Sequence, residues 1–182
     1  MQKLHSDLAR ILVPEDSIQS RVRELATQIS ADYEPETPLY LVGILKGAFM
    51  FLADLARCIT LPHAVDFIAL SSYGKSARSG EVRLVMDLRE SIEGKHVIIV
   101  EDIVDSGQTL NYLYKMLQSR GPATLRTCTF VRKERVGVTA PIDYLGFNIP
   151  DVWVVGYGLD YADKHRTLPF IAELKPEVYA KQ

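Results

Sequence analysis

The 182-residue chain is 47% hydrophobic, enough to close one sizeable core with a small appendage but cramped for two full domains. A formal net charge of −2 gives no general attraction for nucleic acid or for an anionic membrane, so any anionic ligand must be held by a local site. Cys58 and Cys128 each lie in an apolar run without CxxC spacing, which argues against a zinc site or a disulfide framework and for free thiols in a reducing compartment.

The opening MQKLHSDLAR has no apolar stretch of signal-peptide length, and nothing further on approaches the roughly 20 apolar residues of a membrane helix, so a soluble cytoplasmic protein is expected. Ser17 is placed to cap a helix with Ile18, Val22, Leu25 and Ile29 on one face, ending before the polar DYEPETP. LYLVGIL (39–45) reads as a strand apolar on both faces. It feeds, without a hairpin signal, into a helix where Ala48, Leu52, Leu55 and Ile59 recur at helical spacing. Further strands are predicted at 64–70, 81–86, 96–102, 125–131, 143–147 and 152–158, and a helix from Thr109 to Arg120 is stopped by Gly121-Pro122. The alternation predicts an α/β protein with a central, mainly parallel sheet flanked by helices. Between two of the strands, SSYGKSARSG (71–80) carries one aromatic and no aliphatic larger than alanine, and burial cannot offset the cost of ordering it. It reads either as a mobile hairpin loop or as a lid with Ser72, Tyr73 and Lys75 or Arg78 as ligand contacts.

VIIVEDIVDSG (97–107) runs a buried strand straight into Glu101, Asp102 and Asp105. In a parallel α/β sheet the ligand crevice lies beyond the carboxyl ends of the strands, so these acids face it. The following DSGQT supplies Gly107 for a tight turn, the hydroxyls of Ser106 and Thr109, and the free N–H groups of a helix start, together an anion cradle. Bare carboxylates would repel a phosphate held there. Glu101 and Asp102 must therefore either accept hydrogen bonds from sugar hydroxyls or hold Mg²⁺ that bridges phosphate oxygens, and a phosphorylated sugar meets both demands. Alternatively, Asp105 is only a helix cap and the pair only a polar strand end. The chain has no GxxxxGK[ST], and GYGLDY (156–161) lacks the third glycine of the dinucleotide fingerprint, which disfavours a kinase or dehydrogenase.

VIIVEDIVDSGQTL (97–110) resembles the signature of type I phosphoribosyltransferases, a hydrophobic strand and acidic pair followed by D-[ST]-G-x-T. LVGILKGAFMF, SSYGKSARSGEVR, FVRKE and IPDVWVVGYGLDYADKHRTLP resemble, in the same order, segments of the hypoxanthine-guanine phosphoribosyltransferases, so the likeness spans about residues 39–170. It implies one domain over 1–182, with a flexible lid at about 71–81 and a small hood from about 148–182 together with N-terminal residues.

The resemblance also implies roles. Glu101 and Asp102 take the ribose hydroxyls directly or through Mg²⁺, Asp105 acts as general base near N7 of the purine, and Asp105, Ser106, Gly107, Gln108 and Thr109 wrap the 5′-phosphate. Gln108 stands where many relatives carry a lysine or an apolar residue, so no charge role is given to it. Leu45, Lys46 and Gly47 match a pyrophosphate loop in which the peptide before the lysine is cis. Lys133 donates to the purine 6-oxo group, Trp153 stacks on the base, and backbone groups of Val154 and Asp160 reach its 2-position and N1 side. Asp160 binds a second Mg²⁺, Arg166 reaches the leaving pyrophosphate, and Ser72 and Tyr73 close over it. The place of Arg135 is left open, and His165 has no partner evident from the sequence.

The implied activity is transfer of the 5-phosphoribosyl group from phosphoribosyl pyrophosphate to hypoxanthine or guanine, giving IMP or GMP, by a homotetramer or homodimer. A xanthine preference remains an alternative. So does a nucleotide sensor on the same fold, although such a protein should show a DNA-binding domain or a basic face, and neither is visible.

Overall fold

The computed structural model describes residues 4–72, 82–137 and 139–180. After a first strand, β1 (Leu8–Val13), helix α1 (Glu15–Ala31) buries Ile18, Val22, Leu25 and Ile29, the stripe expected from the sequence. It begins earlier than Ser17, however. Pro14 occupies the cap position in extended conformation and Glu15 and Asp16 fill the first turn, so preset backbone and favourable charge start the helix without a side-chain cap.

β2 (Leu39–Leu45) is buried along nearly its whole length and leads into α2 (Phe49–Cys58), which buries Phe51, Leu52 and Leu55. β3 (His63–Ser72) pairs with β4 (Val82–Met86), β5 (His96–Val104) follows, and α3 (Gln108–Gln118) buries Leu110, Leu113 and Leu117. β6 (Thr124–Lys133) and β7 (Tyr144–Ile149) complete a six-stranded sheet of order β4-β3-β2-β5-β6-β7, in which every pairing is parallel except β3 with β4. Along β5 alternate residues go to opposite layers: Ile98 and Val100 join α1 and α2, while Val97 and Ile99 join α3.

Three departures from the sequence reading shape the site. β3 runs through Ser72, two residues into the segment expected to be a lid, and Ser71 and Ser72 pair with Arg83 and Val82. β5 continues past 102 to Val104, so Glu101 lies inside the ladder opposite Thr129. The strand expected at 152–158 shrinks to β8 (Val154–Val155), because Gly156, Tyr157 and Gly158 all take positive φ and fold the chain back. β8 pairs antiparallel with β9 (Ile171–Leu174), which also pairs antiparallel with β1. This three-stranded sheet, with a last turn α4 (Pro176–Tyr179), is the hood. Among the described residues no helix is long and apolar enough to cross a membrane.

Candidate active site

Three chain segments meet beyond the carboxyl ends of β2 and β5. The first, Lys46-Gly47, follows a cis Leu45–Lys46 peptide. A Cβ on Gly47 would stand 1.5 Å from Asp102 Oδ2, so only glycine lets this turn lie against the acid. The third segment locks onto the first, since a Cβ on Gly158, at φ 103°, would lie 2.0 Å from the Gly47 carbonyl oxygen.

Between them stands the acidic pair. Glu101 is buried and its Oε2 has no hydrogen-bond partner. Burial, then the adjoining Asp102 charge, push its carboxyl well above the ordinary range. Burial raises Asp102 too, against the pull of its hydrogen bonds from Glu101 and the Ile103 N–H and the more distant charge of Arg166. An orphaned carboxylate oxygen at a sheet end is set to receive positive charge or a hydroxyl donor. Just beyond, Asp105, Ser106, Gly107 and Thr109 line a recess of about 210 Å³ at the start of α3, where Gly107 takes φ 77° to turn the chain into the helix.

A larger cleft of about 430 Å³ opens beside the pair, lined among others by Lys46, Gly47, Asp102, Asp105, Lys133, Trp153, Val154, Asp160 and Arg166. Lys133, the last residue of β6, is almost fully buried, with Nζ 3.5 Å from both Asp105 Oδ2 and Asp151 Oδ1. Arg135 joins the same two carboxylates, contacting Asp105 Oδ1 and lying 2.6 Å from Asp151. The hydrogen bond from Arg135 holds the Asp151 carboxyl below the ordinary range. Trp153 remains half exposed at the rim, packed against Tyr161 and Tyr179 with ring centroids 5.7 and 5.5 Å away. Arg166 donates to the Gly158 carbonyl at 2.7 Å and pairs with Asp160 at 2.6 Å, while Asp163 bridges it to Lys46.

The structure thus gathers most of the residues singled out from the sequence around two adjoining cavities. Leu45 sits at the end of β2, and Gln108 lies exposed at the start of α3, lining neither cavity. Ser72 ends β3, whereas Tyr73, Lys75 and Arg78 fall outside the described residues. Asp160 faces Arg166 and does not converge with Glu101 and Asp102 in one cluster. Asp151 and Asp163 were missed. Asp163 carried a signal, three residues after Asp160 in the same polar loop, but Asp151 meets Lys133 and Arg135 only through the pairing of β6 with β7.

A family model described as a phosphoribosyl transferase domain matches residues 14–162. The chain is 49% identical over 176 residues to a hypoxanthine-guanine phosphoribosyltransferase of Dictyostelium discoideum, covering 94% of this chain and 98% of that one. It is 44% identical over 176 residues to the Bacillus subtilis protein of the same name, covering 95% and 97%. A solved structure of the hypoxanthine phosphoribosyltransferase of Trypanosoma cruzi, in complex with the product IMP, superposes with a TM-score of 0.88 at 46% identity, covering 97% of this chain and all of that one.

Proposed function

The chain belongs to the phosphoribosyltransferase family, and from that premise we infer how its residues divide the work. It acts in purine salvage, moving the 5-phosphoribosyl group from phosphoribosyl pyrophosphate to N9 of hypoxanthine or guanine and yielding IMP or GMP with pyrophosphate.

The observation that carries the assignment of roles is the junction of the two cavities at Asp105, which places the helix-start recess on one side and the Lys133 and Trp153 cleft on the other. The N–H groups and hydroxyls of Asp105 to Thr109 hold the 5′-phosphate. The base lies in the cleft against Trp153, its 6-oxo group accepting from Lys133, an arrangement that rejects the donor amine of adenine. Asp105 takes or holds the purine proton at N7. Arg135 and Lys133 each contact one of its two oxygens, which leaves acceptor lone pairs for the arriving base. Lys46, Gly47 and Arg166 receive the leaving pyrophosphate.

Glu101 and Asp102, with an unpaired buried oxygen between them and only hard donors, suit Mg²⁺, as does Asp160 for a second ion. When bound, Mg²⁺ would neutralise phosphate charge and strengthen the leaving group. We read the enzyme as cytoplasmic, which the free Cys58 and Cys128 support, and as a single domain over 1–182. A homotetramer or homodimer is supported by the exposed Val65, Val85 and Met86 on the β3–β4 edge.

The test is a steady-state assay with phosphoribosyl pyrophosphate, comparing hypoxanthine, guanine, xanthine and adenine by kcat/KM with and without Mg²⁺. Metal-dependent turnover of hypoxanthine and guanine, with adenine inert, is the expected result. A xanthine preference would move the 2-position contacts alone. Efficient use of adenine would overturn the Lys133 role, and metal-independent turnover would overturn the assignment of Mg²⁺ to the acidic pair.

A further inference from the structure

Outside the catalytic cleft, one group of metal-ligating side chains converges among the described residues: His5, Asp7 and His165, whose donor atoms all lie within 4.8 Å of one another. Asp7 Oδ2 stands 3.1 Å from His165 Nε2 and 3.5 Å from His5 Nδ1. The two rings meet edge to face at 4.8 Å. Ligands about 2.0–2.2 Å from a tetrahedral zinc are roughly 3.3–3.5 Å apart, close to both Asp7 distances. His5 Nδ1 also lies 3.3 Å from the Asp7 backbone N–H; its single lone pair serves one partner at a time, so a bound metal displaces this contact. The hydrogen bond from His165 holds the Asp7 carboxyl below its ordinary range.

We propose that His5, Asp7 and His165 form a binding site for a divalent transition metal, zinc above all, with further positions open to water. Two imidazoles and one carboxylate select zinc-like ions over Mg²⁺ and Ca²⁺, which prefer all-oxygen shells. The cysteines argued against zinc in the sequence reading, but this site uses neither. It joins two distant parts of the chain. Asp7 adjoins β1 and accepts from the Lys175 N–H at 2.9 Å, whereas His165 sits in the loop that carries Asp160, Asp163 and Arg166. An ion here therefore clips the N-terminal segment before β1 to the loop of Asp160 to Arg166.

The experiment uses tag-free, chelator-stripped protein in excess Mg²⁺, which occupies the hard-oxygen sites. Zn²⁺ is titrated by calorimetry and Co²⁺ by visible absorption. One ion per chain is expected, with a tetrahedral or five-coordinate cobalt spectrum. Affinity should fall about tenfold or more in both His5→Ala and Asp7→Asn. Should Asp7→Asn fail to fold, His5→Ala, whose side chain is largely exposed, decides the matter alone. No uptake of zinc, or uptake of unchanged affinity and spectrum in His5→Ala, overturns the site.

Discussion

Asp105 stands where the two cavities join, its carboxylate shared by Lys133 and Arg135. If it handles the purine proton, Asp105→Asn keeps the shape of the loop and removes the base. Turnover should fall about a hundredfold to ten-thousandfold while the Kd for phosphoribosyl pyrophosphate changes little. Single-turnover kinetics and equilibrium binding check the two halves separately, and an unchanged kcat would remove Asp105 from proton transfer. Residues within 97–110 were legible because their chemistry is written in consecutive letters. Glu101, Asp102, Ser106 and Thr109 needed only the strand-to-helix pattern around them. Lys133, Trp153 and Arg166 gave no such local signal, and only the family likeness pointed to them. Asp7 and His165, 158 residues apart, could not be paired from sequence at all.

At the scale of elements, the hydrophobic periods placed α1, β2, α2, β5 and α3 with shifts of a few residues, since each buries a stripe or two faces against the layers beside it. β1 and β9 went unseen. Three consecutive residues of β1, Ala9, Arg10 and Ile11, are exposed, so no clean alternation marks it, and β9 is only four residues long. β1 is a strand because β9 lies beside it, and β9 because β1 and β8 flank it. The β2–β3 pairing is pinned by a polar device within the sheet. Asp66, buried in β3, accepts from the Tyr40 hydroxyl at 2.7 Å and from the Phe67 and Arg89 N–H groups at 2.8 Å. Burial alone would raise its carboxyl, but these bonds outweigh it and hold the group below the ordinary range. A depressed folded value means a contribution that is complete above the unfolded pKa, about 3.9, and lost as pH falls through the folded one. Asp66→Asn should therefore cost about 2 kcal/mol at pH 7, roughly 4–8 °C in Tm. The gap from the parent should narrow below about pH 4. Thermal melts between pH 7 and 3 test this, and a gap that widened in acid would contradict it.

For the whole molecule, the parallel sheet could be read from the alternation of strands and helices, but its order β4-β3-β2-β5-β6-β7 could not, because crossovers between buried strands leave no mark on local pattern. The same holds for the hood. Leu8, Val155, Ala172 and Leu174 form a cluster of their own, separate from the two layers that cover the large sheet. Damage there should stay local. Leu174→Ala, at a fully buried position, should loosen β8 and so raise KM for hypoxanthine while leaving phosphoribosyl pyrophosphate binding nearly intact. Parallel KM and Kd measurements decide it; equal losses for both ligands would mean that the hood and the large sheet yield together.

The pairing of β1 with β9 also imposes a schedule. Arg10 reaches Glu173 across 163 residues of chain, so β1 has no strand partner until 171–174 have been made. At about 5–20 residues per second, that interval is roughly 8–30 s. During it the large sheet can assemble and the helix-start recess can form, while Leu8 and Val13 lack the cover they will have later. The hood side of the cleft is therefore completed after the helix-start recess, and a nascent chain assembles the anion cradle before β9 holds Val154 and Val155 in place.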